Sequence, residues 1–338
     1  MAHRRAGDRR AVRVLHVDTE VGARGGQRQL ELLVHHGSHE AIVAAPGRAS
    51  WPHEWAIPVH RVAFRGRLWG RRALRRLLLK TRPDLIAAHT HHALALCHGL
   101  GVPLVVHRRV DFVPSRVTVR RYNQARHVVA VSAAVANVLR RAGVRTPLRV
   151  VYDAVLPLPI GPWPRPPPRR LVAVGALVPH KGHIDLLRAM TEVDAELVIA
   201  GQGPERGSLE RFVQRHGLTS RVTLLGQVAE VAPLLHRAHA FVHPSREEGL
   251  GQAVIEALSA GCPTVTTWAG GLAEVVEDRG TLVPSRSPRR LAQALRRVLE
   301  RLDEARKRAL AGRAALVERH AVARMVEQTE AVYTRAMR

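Results

Sequence analysis

The chain has 338 residues, 46% of them hydrophobic and 24% charged. That size suggests two domains, and the composition excludes both a staple-dependent miniprotein and a dominantly disordered chain. Its 53 Lys and Arg against 28 Asp and Glu leave a net charge of +25, and the excess is uneven: residues 1–165 carry 28 basic and 9 acidic side chains, residues 166–338 carry 25 and 19. Lysines are confined to Lys80, Lys181 and Lys307, so part of the arginine content reads as compositional bias. The remainder points to an anionic partner facing the first half, with nucleic acid, anionic lipid and phosphorylated substrates all open.

From residue 11 onward, short Val/Leu/Ile runs alternate with helical-period segments, the pattern of βα units and a parallel sheet. Strands are predicted near 12–17, 41–45, 59–63, 84–88, 103–107 and 127–131, with helices at 27–36, 70–80, 92–99 and 132–142. Seven prolines between Pro157 and Pro168 cannot continue a helix or a central strand and mark an interdomain linker, 157–168. The alternation restarts with strands at Leu171–Gly175, Glu196–Gly201, Val222–Leu225, Ala240–His243, Thr264–Thr267 and Thr281–Val283, and helices at about 183–190, 205–216, 229–237, 252–260 and 271–277. Residues 287–338 read as almost entirely helical. The expected fold class is therefore α/β: a first Rossmann-like domain over 1–156 and a second over 169–320 facing a central cleft. A last helix within 321–338 would cross back onto the first domain.

Cys97 and Cys262 stand far apart and outside any C-x-x-C pair, so a reducing, cytoplasmic setting is expected. The segment after the basic N-terminus, AVRVLHV, is short and interrupted by Arg13 and His16, unlike a signal-peptide core, and no stretch reaches the roughly 18 apolar residues of a membrane span, so membrane contact would be peripheral.

The segment HPSREEGLGQAVIEALSAGCPTVTT, residues 243–267, is the richest. Gly249 and Gly251 bracket a turn before a helix that stops at Gly261, and the unpaired N–H groups of such a helix start suit a phosphate. Glu248 and Glu256, eight residues apart, would fall on roughly one face if both followed helical spacing. A solvated acidic helix start is the alternative reading.

This segment resembles the signature of family-four retaining glycosyltransferases of the GT-B fold (glycosyl transferases group 1), P-S-x-x-E-G-x-G-x-x-x-x-E-A-x-A-x-G-x-P-V, at Pro244, Ser245, Glu248, Gly249, Gly251, Glu256, Ala257, Gly261 and Pro263. Val174-Gly175 with Lys181-Gly182 resembles the family's V-G-R-L-x-x-x-K-G loop, Gly201 to Glu205 its G-D-G-P-E, Leu225-Gly226 its F-L-G, Gly25-Gly26 its N-terminal diglycine, and Gly270-Gly271 the pair after the last threonine. The resemblance implies a retaining, metal-independent transferase with no resident cofactor. It would take a nucleotide-diphosphate-sugar donor and a saccharide or lipid-linked envelope acceptor, the latter bound by the first domain. By the same resemblance Glu256 would hold the ribose, Glu248 the transferred sugar and Lys181 the diphosphate. Gly249, Leu250 and Gly251 would add amide donors, and Gly226 to Val228 would line the base. Gly25 and Gly26 would approach the phosphates.

Three positions depart from the family pattern. Ala176 stands where an arginine usually precedes the lysine, with His180, Arg108 and Arg109 as candidate replacements; Gln202 replaces an aspartate; and Tyr152-Asp153-Ala154 replaces the usual end of the first domain. On the acceptor side His89 fits the second histidine of V-H-A-H. His107 and Arg109 both lie in the loop where relatives place a catalytic-site histidine, and alignment on Gly101-Val102-Pro103 favours Arg109. His89, His91 and His92 lack nearby carboxylates or cysteines, which argues against a metal. A nucleotide-sugar epimerase on the same scaffold, an inactive saccharide-binding homologue and a basic nucleic-acid-binding protein remain as alternatives. An aromatic content of 4% and the specificity of 243–267 argue against the last. Arg65, Arg67, Arg71, Arg72, Arg75 and Arg76 beside Phe64, Leu68 and Trp69 form the candidate face for an anionic membrane.

Overall fold

The computed structural model describes residues 11–22, 25–51, 55–64, 66–163 and 168–338; Arg65 and part of the proline-rich linker lie outside them. In the first half, β1 (Arg13–Val17), β2 (Glu40–Pro46), β3 (Val59–Val62), β4 (Leu85–Ala88), β5 (Leu104–Arg108), β6 (His127–Ala130) and β7 (Leu148–Val150) form one parallel sheet in the order β3-β2-β1-β4-β5-β6-β7. Helices α1 (Gly25–His36), α2 (Gly66–Thr81), α3 (His91–Cys97), α4 (Arg116–Tyr122) and α5 (Ala133–Arg141) make the crossovers. Strands such as β4 are apolar and buried along their whole length, as a parallel sheet covered on both faces requires.

The second half repeats the plan. Strands β8 (Arg170–Val174), β9 (Glu196–Ala200), β10 (Val222–Gly226), β11 (Ala240–His243), β12 (Thr264–Thr267) and β13 (Thr281–Val283) pair in the order β10-β9-β8-β11-β12-β13. The intervening helices are α6 (His183–Met190), α7 (Arg206–Arg215), α8 (Ala232–Arg237), α9 (Gln252–Ser259) and α10 (Leu272–Val276). Strand order reverses between β1 and β4 in one sheet and between β8 and β11 in the other, so a ligand crevice belongs outside the carboxyl ends of those four strands.

The helical C-terminal region is four helices, α11 (Pro288–Glu300), α12 (Leu302–Ala311), α13 (Arg313–Arg319) and α14 (Val322–Ala336), broken at Arg301, Gly312 and His320. The last of these packs on the first domain: Met325, Val326, Val332 and Tyr333 share a core cluster with Val14, Leu33, Val105 and Val129. Between the domains, Leu158 N–H donates to Ser259 Oγ, its carbonyl accepts from Arg313, and the Arg306 guanidinium lies over Trp163. The described part of the linker is thus pinned to the second domain.

Several elements differ from expectation. β7 and α4 were not expected; they have three and seven residues, too few for a period to register. Helix α2 begins at Gly66 rather than 70, while the helix expected from 229 begins at Ala232, where Pro233 sits in the first turn and its fixed φ favours a start. Both cysteines are free and buried, and burial pushes their thiols up to about 12. No described helix is long and apolar enough to cross a membrane.

Candidate active site

The second-domain half of the cleft is made by two loops. After β8, the chain passes Gly175 and Ala176 into a short 3-10 turn, Pro179–Lys181, and Gly182 at φ +68 launches α6. After β11, Pro244 to Gly251 leads into α9, and Gly251 at φ +98 occupies the left-handed region that disfavours other residues. The helix ends as expected, with Gly261 at φ +73 supplying the left-handed stop.

These loops converge on one carboxylate. Glu248 Oε2 accepts from Lys181 Nζ at 2.5 Å, from His243 Nε2 at 2.8 Å and from Ser245 Oγ at 3.2 Å. Burial opposes ionisation of Glu248, but the Lys181 charge and the His243 hydrogen bond override it and hold the carboxyl well below its ordinary range. The Glu248 N–H donates across the cleft to Asp111 Oδ2 at 3.0 Å. The expectation that Glu248 and Glu256 share a helical face is corrected: α9 starts only at Gln252, so helical spacing does not relate the two. Glu256 lies within α9, its carboxyl pushed up by burial and drawn down by Arg28 of α1.

Of the remaining donor-side residues, Leu250 buries its side chain in the core, leaving only its backbone for a ligand. Gly226 ends β10 at φ +85 and Val228 is half-buried beside it. Gln202 donates to Gln227 Oε1 at 2.6 Å, linking the two loops. Ala176 is exposed and offers no charge. Arg108 turns into its own loop, its Nε and NH2 groups donating to Val110 O and Phe112 O. His180 accepts through its carbonyl from Arg246 N–H, and its ring meets Phe112 of the first domain.

On the opposite wall, Arg109 Nε donates to Asp153 Oδ1 at 3.1 Å and its NH1 group reaches His89 Nδ1 at 3.4 Å. Asp153 Oδ2 accepts from Gln252 Nε2 of α9 at 3.1 Å, and the same amide reaches Gly25 O at 3.3 Å. The starts of α1 and α9 thus meet at Gly25. A Cβ on Gly249 would stand 1.9 Å from Arg109 O, so the two walls approach more closely there than any side chain permits. Glu274 of α10 also crosses, accepting from Ala133 N–H at 2.9 Å, Ala134 N–H at 2.7 Å and Tyr152 Oη at 3.0 Å. A carboxylate at the start of α5 complements its dipole.

His107 lies deeper than Arg109, the two bordering one small cavity together with Asp153. It is buried, stacked on His89 with ring centroids 4.4 Å apart, and bonded through Nε2 to Tyr333 Oη at 3.0 Å. His91 and His92 are exposed at the start of α3 while His89 turns inward. Among the described residues no group of three His, Cys, Asp or Glu side chains is placed to hold a metal.

The two halves match known families in chain order: Glycosyltransferase Family 4 over residues 27–156 and Glycosyl transferases group 1 over residues 168–301. The chain belongs to these glycosyltransferases. An uncharacterized glycosyltransferase from Methanocaldococcus jannaschii is 34% identical over 126 residues, 36% of this chain and 36% of that protein. The glycogen synthase of Mycobacterium tuberculosis is 36% identical over 185 residues, 52% of this chain and 44% of the enzyme. The matches therefore span less than half the length of these curated relatives. The Anabaena protein HepE, solved in complex with UDP-glucose, superposes with a TM-score of 0.84 at 22% identity over 95% of this chain and 99% of that one. The lipopolysaccharide outer core galactosyltransferase WaaB gives 0.76 at 15% identity over 95% and 98%. These likenesses establish the two-domain GT-B fold of this glycosyltransferase-family chain.

His243, Ser245, Asp111, Asp153, Gln252 and Glu274 were not assigned roles from sequence. His243, Ser245 and Gln252 stand inside the segment 243–267 and could have been found there. Asp111, Asp153 and Glu274 had no local signal, since their partners lie 44 to 141 residues away.

Proposed function

We propose that this protein is a retaining, metal-independent glycosyltransferase that moves a sugar from a nucleotide-diphosphate donor to a saccharide or lipid-linked acceptor of the cell envelope. The observation that carries the reading is the Lys181–Glu248–His243 cluster at the start of α9, at the β8/β11 switch point. Departure of a nucleoside diphosphate builds charge on phosphate oxygens, and Lys181 with the free amides of α9 is a preorganised counter-charge for it. In this reading Lys181 exchanges Glu248 for the diphosphate when donor binds. Glu248 stays ionised through His243 and Ser245 and accepts from sugar hydroxyls, while Glu256 accepts from the ribose and Gly226 to Val228 line the base. The UDP-glucose complex of HepE supports a nucleotide-sugar donor. The test is release of nucleoside diphosphate from a panel of UDP-, GDP- and ADP-sugars with saccharide and lipid-linked acceptors. The product anomer, read by proton NMR, should keep the donor's configuration; an inverted anomer contradicts retention.

The acceptor's setting is read from α2. Arg67, Arg72, Arg75, Arg76 and Lys80 are exposed together with Leu68 and Trp69, which are 63% and 64% exposed. Basic groups near an anionic leaflet contribute roughly 1 kcal/mol each, and apolar neighbours enter the interface. This supports peripheral docking on the inner face of the cytoplasmic membrane. Arg71 does not belong to that face, because it donates to Leu96 O and His98 O at the end of α3.

A further inference from the structure

Behind the first-domain wall lies a run of buried imidazoles that the proposed chemistry does not use. His89 Nε2 meets His16 Nδ1 at 3.0 Å, His16 Nε2 meets His39 Nε2 at 2.8 Å, and His39 Nδ1 meets Glu330 Oε1 of α14 at 2.9 Å. At the cleft end, Arg109 NH1 reaches His89 Nδ1 at 3.4 Å. His16 is fully buried, His89 is 5% exposed and the His39 side chain 3%. Three imidazoles buried together are costly unless every ring nitrogen finds a partner, and here all six do.

The direction of each bond follows from the two ends. A guanidinium can only donate, so His89 Nδ1 must accept and His89 Nε2 must carry the proton. His16 then accepts at Nδ1 and donates from Nε2, and His39 accepts at Nε2 and donates from Nδ1. Glu330 closes the run as an acceptor. Burial opposes its ionisation, but His39 and the Ser38 hydroxyl and amide hold its carboxyl below the usual range. A run with one consistent direction polarises each member in turn.

We propose that His89, His16 and His39 are positioning residues, a one-directional hydrogen-bond chain by which α14 fixes the Arg109 guanidinium between His89 and Asp153 in the cleft. The reading of Arg109 as part of the transferase site is the one proposed above; the chain itself stands on its geometry. Burial, reinforced by the neighbouring rings and the Arg109 charge, lowers the pKa of His16 and His89 well below the ordinary value and keeps both rings neutral, as the chain requires. The charged and titratable groups facing His39 are His16 from β1, and Glu330 and Tyr333 from α14.

The test is the tautomeric state of the rings in the intact protein, read by 15N NMR with histidine-selective labelling and single-variant assignment. At neutral pH, His89 and His16 should be protonated at Nε2 only and His39 at Nδ1 only. His89 protonated at Nδ1, or any of the three doubly protonated, overturns the proposal. Because either end alone fixes the direction, Glu330→Gln by itself should leave the three tautomers unchanged, whereas the double variant Arg109→Met with Glu330→Gln frees both ends and should give tautomer mixtures; unchanged tautomers in the double variant also overturn it. With an active donor identified, Glu330→Leu, which removes the acceptor that anchors the run to α14, should lower kcat about tenfold through misplacement of Arg109 and leave the donor KM nearly unchanged, and an unaltered kcat contradicts the positioning role. If no donor is turned over by wild type, the function reading fails while the NMR result still decides the chain.

Discussion

The two walls of the cleft are built from the same fold and manage charge in opposite ways. In the second domain a carboxylate is held ionised by a lysine and a histidine that reach it from adjacent loops. In the first domain histidines are held neutral by burial and end on an arginine. Under the proposed function, the first arrangement places charge that a donor's diphosphate would rearrange. The second fixes a cation that the rest of the chain keeps from moving. Ligand-responsive and rigid halves thus face each other across contacts such as Ser132 Oγ to Gly249 O at 2.8 Å.

Breaking the responsive wall should have the largest effect. Lys181→Ala removes its cation, and with Ala176 already uncharged, turnover at saturating donor is expected to fall about 10²- to 10³-fold, as for loss of one preorganised donor; near-normal kcat would remove Lys181 from the chemistry. A division within that wall comes next. Glu248→Gln should lower kcat more than nucleotide affinity, whereas Glu256→Gln should weaken nucleoside diphosphate binding by about tenfold, roughly one charge-assisted hydrogen bond. Calorimetry showing equal loss of affinity in both variants would contradict the assignment.

The contrast between the walls also sets a pH dependence. The pKa of His16, His89, His107, His183 and His243 is lowered, in each case chiefly by burial, that of His183 to about 4. The unfolded chain binds protons at these rings below the ordinary value of about 6.5 while the folded chain does not, so stability is full above that pH and falls as pH drops. The slope is about 1.4 kcal/mol per pH unit for each unmatched ring. Glu248 adds loss only below the ordinary carboxylate range, while Asp18, Asp153 and Glu256, pushed up by burial, take up protons first in the folded state and so act in the opposite sense just above that range. The melting temperature should therefore decline between pH 7 and pH 5, and a flat profile would contradict buried neutral histidines.

The smallest expected effect concerns the exterior of the rigid half. Sedimentation with anionic but not neutral vesicles is expected for wild type and should be reduced in a variant with Arg67, Arg72, Arg75 and Arg76 changed to glutamine. Equal binding by both proteins would move the docking face elsewhere.

The same contrast explains what the sequence made legible. Both sheets and the second-domain wall were readable because their determinants are local: apolar runs announce buried strands, and Pro244 to Pro263 carries the glycines and carboxylates of one loop and one helix in consecutive residues. The first-domain wall was not, because His16, His39, His89, Arg109, Asp153 and Glu330 lie on separate elements and meet only after a seven-stranded sheet has ordered its strands. His107 is in β5 on the same side as Val105, against α14, a packing partner that its place in the loop pattern does not reveal. Arg108 and Arg71 looked like free cations and proved to be bound to backbone carbonyls, a role that a charge count cannot distinguish.

The most direct test of the responsive wall is a thermal-shift titration of wild type and Lys181→Ala with UDP, GDP and ADP, since a ligand bound only by the folded state must raise the melting temperature. One of the three should stabilise wild type saturably, with the shift largely lost in Lys181→Ala. No shift with any of them at millimolar concentration, or an equal shift in both proteins, would contradict a diphosphate site built on Lys181.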